Sequence, residues 1–411
     1  MKKVFFKTFG CRTNIYDTAL MAQNLREFEQ TDSEKDADIV VINSCTVTNS
    51  ADISLKQYIN RVSKSDKKIY LTGCKVPVTD EAEFKDSALE GVFEHSFKEN
   101  IDSLLQKKEF FIKRGNKNHI DSTIVEDLKG RSRAFIKIQE GCDFECSYCI
   151  IPKARGSSRS LEEKTILKQV EVLSNRGFSE VVLTGTNVGS YGKNSGSSLE
   201  KLILKIGKIE GIKRVRLGSI EPSQVKLLRE ALDAPFFNKH LHIALQHSSN
   251  KMLEIMQRRN RFESDLELLL DLKERGFALG TDFLLGHPGE SEEIWEEAKE
   301  NFKKLPLTHI HTFIYSKREG TPSSKMLLDV ELEVVRSRQR FIEDVVFKNN
   351  YDFRKQMPKL QVLAEKRKND GHSGYDQFFN KIEIKSEIDL EKRWLELETY
   401  KVDYEKNSTV F

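Results

Sequence analysis

From Arg133 to Ile314 the chain alternates six times between short apolar, β-branched runs and longer amphipathic stretches, and this rhythm limits the fold more than any other feature. The candidate strands are Ala134–Gln139, Glu180–Thr184, Arg214–Ser219, His240–Leu245, Ala278–Leu285 and Thr308–Ile314. Stretches at helical spacing lie between them, among them Leu161–Arg176, Ser223–Leu232, Asp265–Arg275 and Glu292–Leu305. Six βα units in a row predict a partial (β/α)6 barrel, because neighbouring parallel strands need a crossover helix. Fewer than eight units leave an open side that another part of the chain must cover.

The chain before Arg133 alternates as well. Val4–Phe9, Ile39–Asn43 and Ile69–Thr72 read as strands, with helical stretches at Tyr16–Phe28 and Asp52–Lys64. This predicts a small parallel α/β sheet. Arg114–Lys129 is polar, carries Gly115, Asn116 and Asn118, and reads as a linker. After Thr321-Pro322 a charged helix is expected over Val330–Arg354, stopped by Pro358. Short strands follow near Leu360–Ala364, Gly371–Gly374 and Asn380–Lys385, as in a small β-barrel. The fold class is therefore α/β in three domains, over residues 1–115, 128–355 and 356–411.

With 411 residues, 38% hydrophobic and 32% charged, the chain fits a globular protein with a real core. No apolar run reaches the roughly 18–20 residues that span a bilayer, so no membrane is expected. Lys7 and Gly10 interrupt the apolar Val4-Phe5-Phe6 too soon for a secretion signal, and a cytoplasmic location is expected. A net charge of +3 names no partner, but local basic groups such as Lys153/Arg155/Arg159 and Arg258/Arg259/Arg261 leave RNA open.

In a reducing compartment the six cysteines point to metal or redox chemistry rather than disulfides. Cys142, Cys146 and Cys149 form a C-x3-C-x2-C run directly after a predicted strand. Three thiolates on one loop can hold three irons of a [4Fe–4S] cluster and leave the fourth for S-adenosylmethionine. A structural zinc site would need a fourth Cys or His close by, and none follows in the motif. Tyr148, just before the last cysteine, is placed to pack beside the adenine. Cys11, Cys45 and Cys74 are far apart in sequence, yet each directly follows a predicted strand. The carboxyl ends of parallel strands share one sheet edge, so the three thiols are expected to converge on a second cluster. Three unrelated buried cysteines are the alternative.

Gly185-Thr186-Asn187 ends the second barrel strand, where a glycine admits close backbone approach and Asn offers an amide; a plain turn has the same composition. Glu221 and Gln246 end the third and fourth strands and are expected at the barrel mouth.

Together these residues resemble the methylthiotransferase family over essentially the whole chain. Thr8-Phe9-Gly10-Cys11-Arg12-Thr13-Asn14, Asn43-Ser44-Cys45-Thr46-Val47-Thr48 and Thr72-Gly73-Cys74 resemble its three dispersed cysteine segments. Gly141 to Pro152, with Ala154-Arg155-Gly156, resembles its radical-SAM signature. Val182–Gly192 and Arg216–Pro222 are similar to the bacterial enzymes acting on N6-threonylcarbamoyladenosine in tRNA. The resemblance implies two [4Fe–4S] clusters and S-adenosylmethionine as cofactors, with Arg155 beside cofactor or phosphate charge. It implies a TRAM-like C-terminal barrel; there Tyr375 and the Phe378-Phe379 pair are candidates to stack on bases, with core packing the other and favoured role for the phenylalanines. As partners it implies the anticodon loop of tRNA, an electron donor such as flavodoxin or ferredoxin, and a sulfur source, for an enzyme working as a monomer. Isopentenyladenosine in tRNA, or an aspartate of a ribosomal protein, are the alternative substrates; a zinc-stabilised RNA-binding protein is the non-enzymatic one. The sequence departs from the family at Gln246-His247-Ser248-Ser249, commonly Gln-Ser-Gly, and at Gly286-His287-Pro288-Gly289, commonly Gly-Phe-Pro-Gly.

Overall fold

The computed structural model describes residues 1–411 except 86, 194–195, 328–329 and 368–370. The first sheet is built from β1 (Lys2–Thr8), β2 (Phe28–Gln30), β3 (Ile39–Ser44), β4 (Lys68–Gly73), β5 (Gly91–Phe93) and β6 (Phe111–Lys113). They lie in the order β2-β1-β3-β4-β5-β6, every pair parallel. β3 is buried at all six residues, as a central parallel strand covered on both faces must be. The helix predicted over Tyr16–Phe28 instead spans Arg12–Gln23, because Phe28 begins edge strand β2. Residues 114–129 have no regular structure, but they are no loose tether: Asp121, Val125 and Leu128 are buried.

The central wall comprises β7 (Ala134–Glu140), β9 (Glu180–Gly185), β10 (Arg214–Leu217), β11 (His240–His242), β12 (Ala278–Leu285) and β13 (His309–Ile314), with β8 (Arg159–Ser160) antiparallel to β7. β7, β9 and β10 pair parallel, as do β11, β12 and β13. A bridge between Ile220 and Ile243 joins the two groups into one curved parallel wall. The long helix expected over Ser223–Leu232 is only Pro222–Val225 and a 3-10 turn at Ala231–Asp233. Pro235 forces Ala234 into extended backbone and so ends any helix there.

The open side of this partial barrel is closed by the N-terminal unit. Tyr16 and Leu20, on the helix Arg12–Gln23, belong to the barrel core, and Thr13 Oγ1 lies 3.5 Å from Thr184 Oγ1 on β9. A 25-residue helix, Leu332–Gln356, leads to the last sheet. This comprises β14 (Leu360–Ala364), β15 (Gly371–Tyr375), β16 (Lys381–Lys385), β17 (Trp394–Leu397), β18 (Lys401–Asp403) and β19 (Ser408–Val410), in the order β17-β14-β15-β16-β19-β18. It is a curled half-barrel around Leu360, Val362, Phe378, Ile382, Ile384 and Leu397. Among the described residues no helix is long and apolar enough to cross a membrane.

Candidate functional site

Cys11, Cys45 and Cys74 each stand just beyond a strand of the first sheet, and two glycines let them approach. Gly10 has φ +91°, and a Cβ there would fall 2.6 Å from Cys45 Cβ and 2.8 Å from its Sγ. Gly73 has φ +99°, and a Cβ there would collide with the Ser44 backbone. Side chains knit the three loops together: Asn14 Nδ2 donates to Phe9 O (2.8 Å) and Ser44 O (3.0 Å), and Ser44 Oγ to Thr72 O (2.6 Å).

Beneath this triad lies a buried set of charges joining the N-terminal unit to the barrel. Lys137 of β7 meets Asp17 at 2.6 Å, and also Asp121 and Glu140. Lys98 meets Asp17 at 2.7 Å and Asp121 at 3.2 Å. Arg155 donates to Asp17 Oδ2 (2.9 Å), to Glu140 and to Asn14 Oδ1 (2.5 Å), while its Nε donates to Cys74 Sγ at 3.3 Å. Arg159 adds a contact to Glu140 at 3.1 Å. Four cations therefore face three carboxylates, and the surplus positive charge borders the cysteines. Burial pushes the Cys74 thiol up to about 12, with Arg155 opposing it. Arg155, expected beside phosphate or cofactor carboxylate, places its donors on Cys74, Asp17, Glu140 and Asn14.

The second triad follows β7. Gly141 has φ +77°, where any Cβ would strike the Ser157 carbonyl. Cys142 Sγ accepts from Phe144 N at 3.4 Å and lies 3.8 Å from Asn187 Nδ2. Cys146 Sγ lies 3.7 Å from Arg258 Nη1, and Arg258 is held by Glu221 at 2.8 and 2.6 Å. Burial pushes the Cys149 thiol up to about 12. Asn187 is fixed by its backbone N–H on Gln139 Oε1 (2.8 Å), and Thr186 Oγ1 accepts from Gly141 N (3.1 Å).

All six cysteines line one cavity of about 360 Å³. Tyr148, Arg155, Gly185, Thr186, Asn187, Glu221 and Gln246 line it too, so every site residue expected from sequence reaches the same space. Arg258 and Asp282 also line it; neither stood out in the sequence beyond a basic run and a strand end. Beside it, His242 Nε2 and His311 Nδ1 lie 2.9 and 3.4 Å from Asp282 Oδ1. Burial would raise the Asp282 carboxyl, but the two histidines outweigh it and hold it well below the usual range.

Three groups of possible metal ligands draw together within 4.8 Å among the described residues: His242/Asp282/His311, Asp17/His95/Glu140 and Glu99/His119/Asp121. Neither cysteine triad is so tight. A tetrahedral zinc with sulfur at about 2.3 Å needs neighbouring sulfurs about 3.8 Å apart.

The two histidines at the departures from the family pattern are structural. His247 stacks on Phe283 and meets Glu290 at 3.3 Å. His287 binds Ser323 Oγ at 2.7 Å, Ser323 Oγ binds Ser147 Oγ at 2.8 Å, and the His287 ring meets Tyr148 edge-on. The cysteine loop is thereby tied to the segment Pro322–Lys325.

Residues 136–301 match the Radical SAM superfamily, and residues 3–93 match the uncharacterized protein family UPF0004. A Helicobacter pylori chain provisionally named a methylthiotransferase is 51% identical over 100% of both chains. The threonylcarbamoyladenosine tRNA methylthiotransferase of Aquifex aeolicus is 32% identical, covering 85% of this chain and 89% of that one. The tRNA-2-methylthio-N(6)-dimethylallyladenosine synthase of Acetivibrio thermocellus is 31% identical, covering 83% and 76%. Among solved structures, the radical S-adenosylmethionine methyltransferase TsrM of Kitasatospora setae shares the fold, with a TM-score of 0.58 at 15% identity over 79% of this chain and 77% of that one.

Proposed function

The chain belongs to the methylthiotransferase family of radical-SAM enzymes, and from that premise we propose that it converts N6-threonylcarbamoyladenosine at position 37 of tRNA to its 2-methylthio derivative. The observation that carries this reading is the single cavity lined by two cysteine triads. In it, Cys142, Cys146 and Cys149 hold one [4Fe–4S] cluster, and Cys11, Cys45 and Cys74 hold the other. When bound, the clusters and S-adenosylmethionine supply the C–H activation, the sulfur delivery and the methyl group of the reaction.

The chain's own residues orient these groups and balance their charge. Arg155 offsets thiolate charge at Cys74, and Arg258, clamped by Glu221, does so at Cys146. Asn187, locked by Gln139, and the turn Gly185-Thr186 present polar groups to S-adenosylmethionine, with Tyr148 and Gln246 completing the wall. The helix Arg12–Gln23, packed on β7 and β9, sets the position of the first triad against the barrel. Residues 1–115 act as the sulfur-donor unit, 128–355 as the radical-SAM unit and 356–411 as the RNA-binding unit.

The threonylcarbamoyl substrate is favoured over the isopentenyl one by the segments Val182–Gly192 and Arg216–Pro222, and by the polar, cationic ground beside Cys11. Nucleoside mass spectrometry of tRNA from a deletion strain tests it. The methylthio group should vanish from threonylcarbamoyladenosine alone; its loss from isopentenyladenosine instead would reassign the substrate.

A further inference from the structure

Past Cys11 the cysteine cavity adjoins a second pocket of about 370 Å³, which shares Cys11, Thr13, Gly185, Ser219 and Asp282 with it and reaches Phe379 of the C-terminal sheet. Charge around this pocket is not balanced. Arg12 is half-buried there, makes no hydrogen bond or ion pair among the described residues, and lies with its guanidinium carbon 5.4 Å from the Phe379 ring centre. Arg216, 3% exposed, lies 5.2 Å from the same ring. Its Nε is held by Glu180 and its Nη2 by the Asp376 carbonyl, which leaves Nη1 buried without a partner. Arg133, 5.8 Å from that ring, also has a buried Nη1 without a partner.

The nearest carboxylates do not cancel this charge. Glu180 is shared between Arg214 and Arg216. The Asp376 carboxylate is occupied by the N–H groups of Phe378 and Asn380. Asp282, at the far side, is held by His242 at 2.9 Å and His311 at 3.4 Å. Arg133 is paired with Glu365 at 2.9 Å, so Arg12, unpaired among the described residues, and Arg216, with its unused buried Nη1, form the site that an anion would complete. Phe379 itself is held at φ +66°, a left-handed conformation costly for a phenylalanine, which keeps its ring over Arg12 and Arg216.

We propose that this pocket binds an oxyanion of the RNA substrate, with Arg12 as its principal partner and Arg216 Nη1 as a second donor. Resting on the tRNA reading above, the oxyanion is the carboxylate of the threonylcarbamoyl group. C2 and the N6-bearing carbon flank N1 on one edge of the purine. A base with C2 in the cysteine cavity therefore sends its N6 substituent into a neighbouring pocket. A backbone phosphate has the same chemistry and is the other source of such an anion.

The test measures binding of synthetic anticodon stem-loops to the full chain by fluorescence anisotropy. The loops carry at position 37 either adenosine, N6-threonylcarbamoyladenosine or its methyl ester, and the proteins are wild type, Arg12→Ala and Arg12→Lys. Wild type should bind the carboxylate-bearing loop about 10- to 100-fold more tightly than the other two, the range expected for a charge-assisted hydrogen bond. Arg12→Ala should erase that preference without changing affinity for the adenosine loop, and Arg12→Lys should keep part of it. Equal weakening of all three loops by Arg12→Ala would identify a phosphate contact and overturn the assignment, as would a wild type without preference. Turnover separates the two readings. If wild type methylthiolates the threonylcarbamoyl loop yet shows no preference, the pocket assignment falls and the function stands; with neither turnover nor preference, both fall.

Discussion

Arg155 Nε lies 3.3 Å from Cys74 Sγ, although 81 residues separate them in the chain. The contact joins the cysteine loop region of the barrel to the first sheet. It also makes one buried guanidinium answer to Asp17, Glu140 and a cysteine at once.

Arg155→Met should leave Asp17 and Glu140 without a cation they now share. Stability in urea should fall by about 3 kcal/mol or more, the scale seen when one partner of a buried ion pair is removed. Arg155→Lys keeps the charge but not the fork, and should recover part of the loss. Equal urea midpoints for Met and wild type would refute the role of this network.

Gly73→Ala should damage only one triad. At φ +99° its new Cβ meets the Ser44 backbone, while Gly141 and the second triad are untouched. After anaerobic reconstitution the variant should hold about four irons per chain where wild type holds about eight. Reductive cleavage of S-adenosylmethionine should survive. A variant that kept the full iron content would show that the glycine does not shape the site.

Burial holds His287 neutral, pushing its pKa down to about 4, and moves His309 the same way, to about 3. A depressed histidine pKa means the unfolded chain takes up the proton first. The stability involved is therefore fully present above about pH 6.5 and is lost as pH falls toward the folded value. For His287 the loss between pH 6.5 and 4 amounts to roughly 3 kcal/mol. His287→Phe should flatten the acid limb of stability against pH by about one proton, read from urea midpoints at pH 7, 6 and 5. An unchanged slope would contradict a buried neutral imidazole on Ser323.

Phe378 and Phe379 should part company on mutation. Phe378 is buried in the C-terminal core, so Phe378→Ala should cost about 3–5 kcal/mol of stability. Phe379 is half-exposed at the pocket, so Phe379→Ala should melt close to wild type but bind anticodon stem-loops about tenfold more weakly. Calorimetry and a binding titration on both variants check the split; the reverse pattern would exclude Phe379 from the RNA surface.

The strands at Val4–Phe9, Ile39–Asn43, Ile69–Thr72 and Ala278–Leu285 were legible because short β-branched runs bounded by polar turns carry their own signal. The short strands β2, β5 and β6, three residues each, were not, since so few residues make no pattern apart from their neighbours. The convergence of Cys11, Cys45 and Cys74 followed from a rule about parallel sheets, so it too could be read without coordinates. Arg258, by contrast, lies in an ordinary basic run, and only its clamp by Glu221 sets it against Cys146.

The sequence by itself determined the two triads, the parallel sheets that carry them and the glycines Gly10, Gly73 and Gly141 that precede Cys11, Cys74 and Cys142. These are local properties of strand ends and of backbone without a Cβ. Tertiary structure decided where charge goes. Asp17 and Lys137 are 120 residues apart, Arg155 meets Cys74 across 81, and Arg12 found Arg216 and Phe379 instead of a carboxylate. Ion pairs and their vacancies depend on which distant elements share a buried volume, and no spacing in the chain encodes that distance.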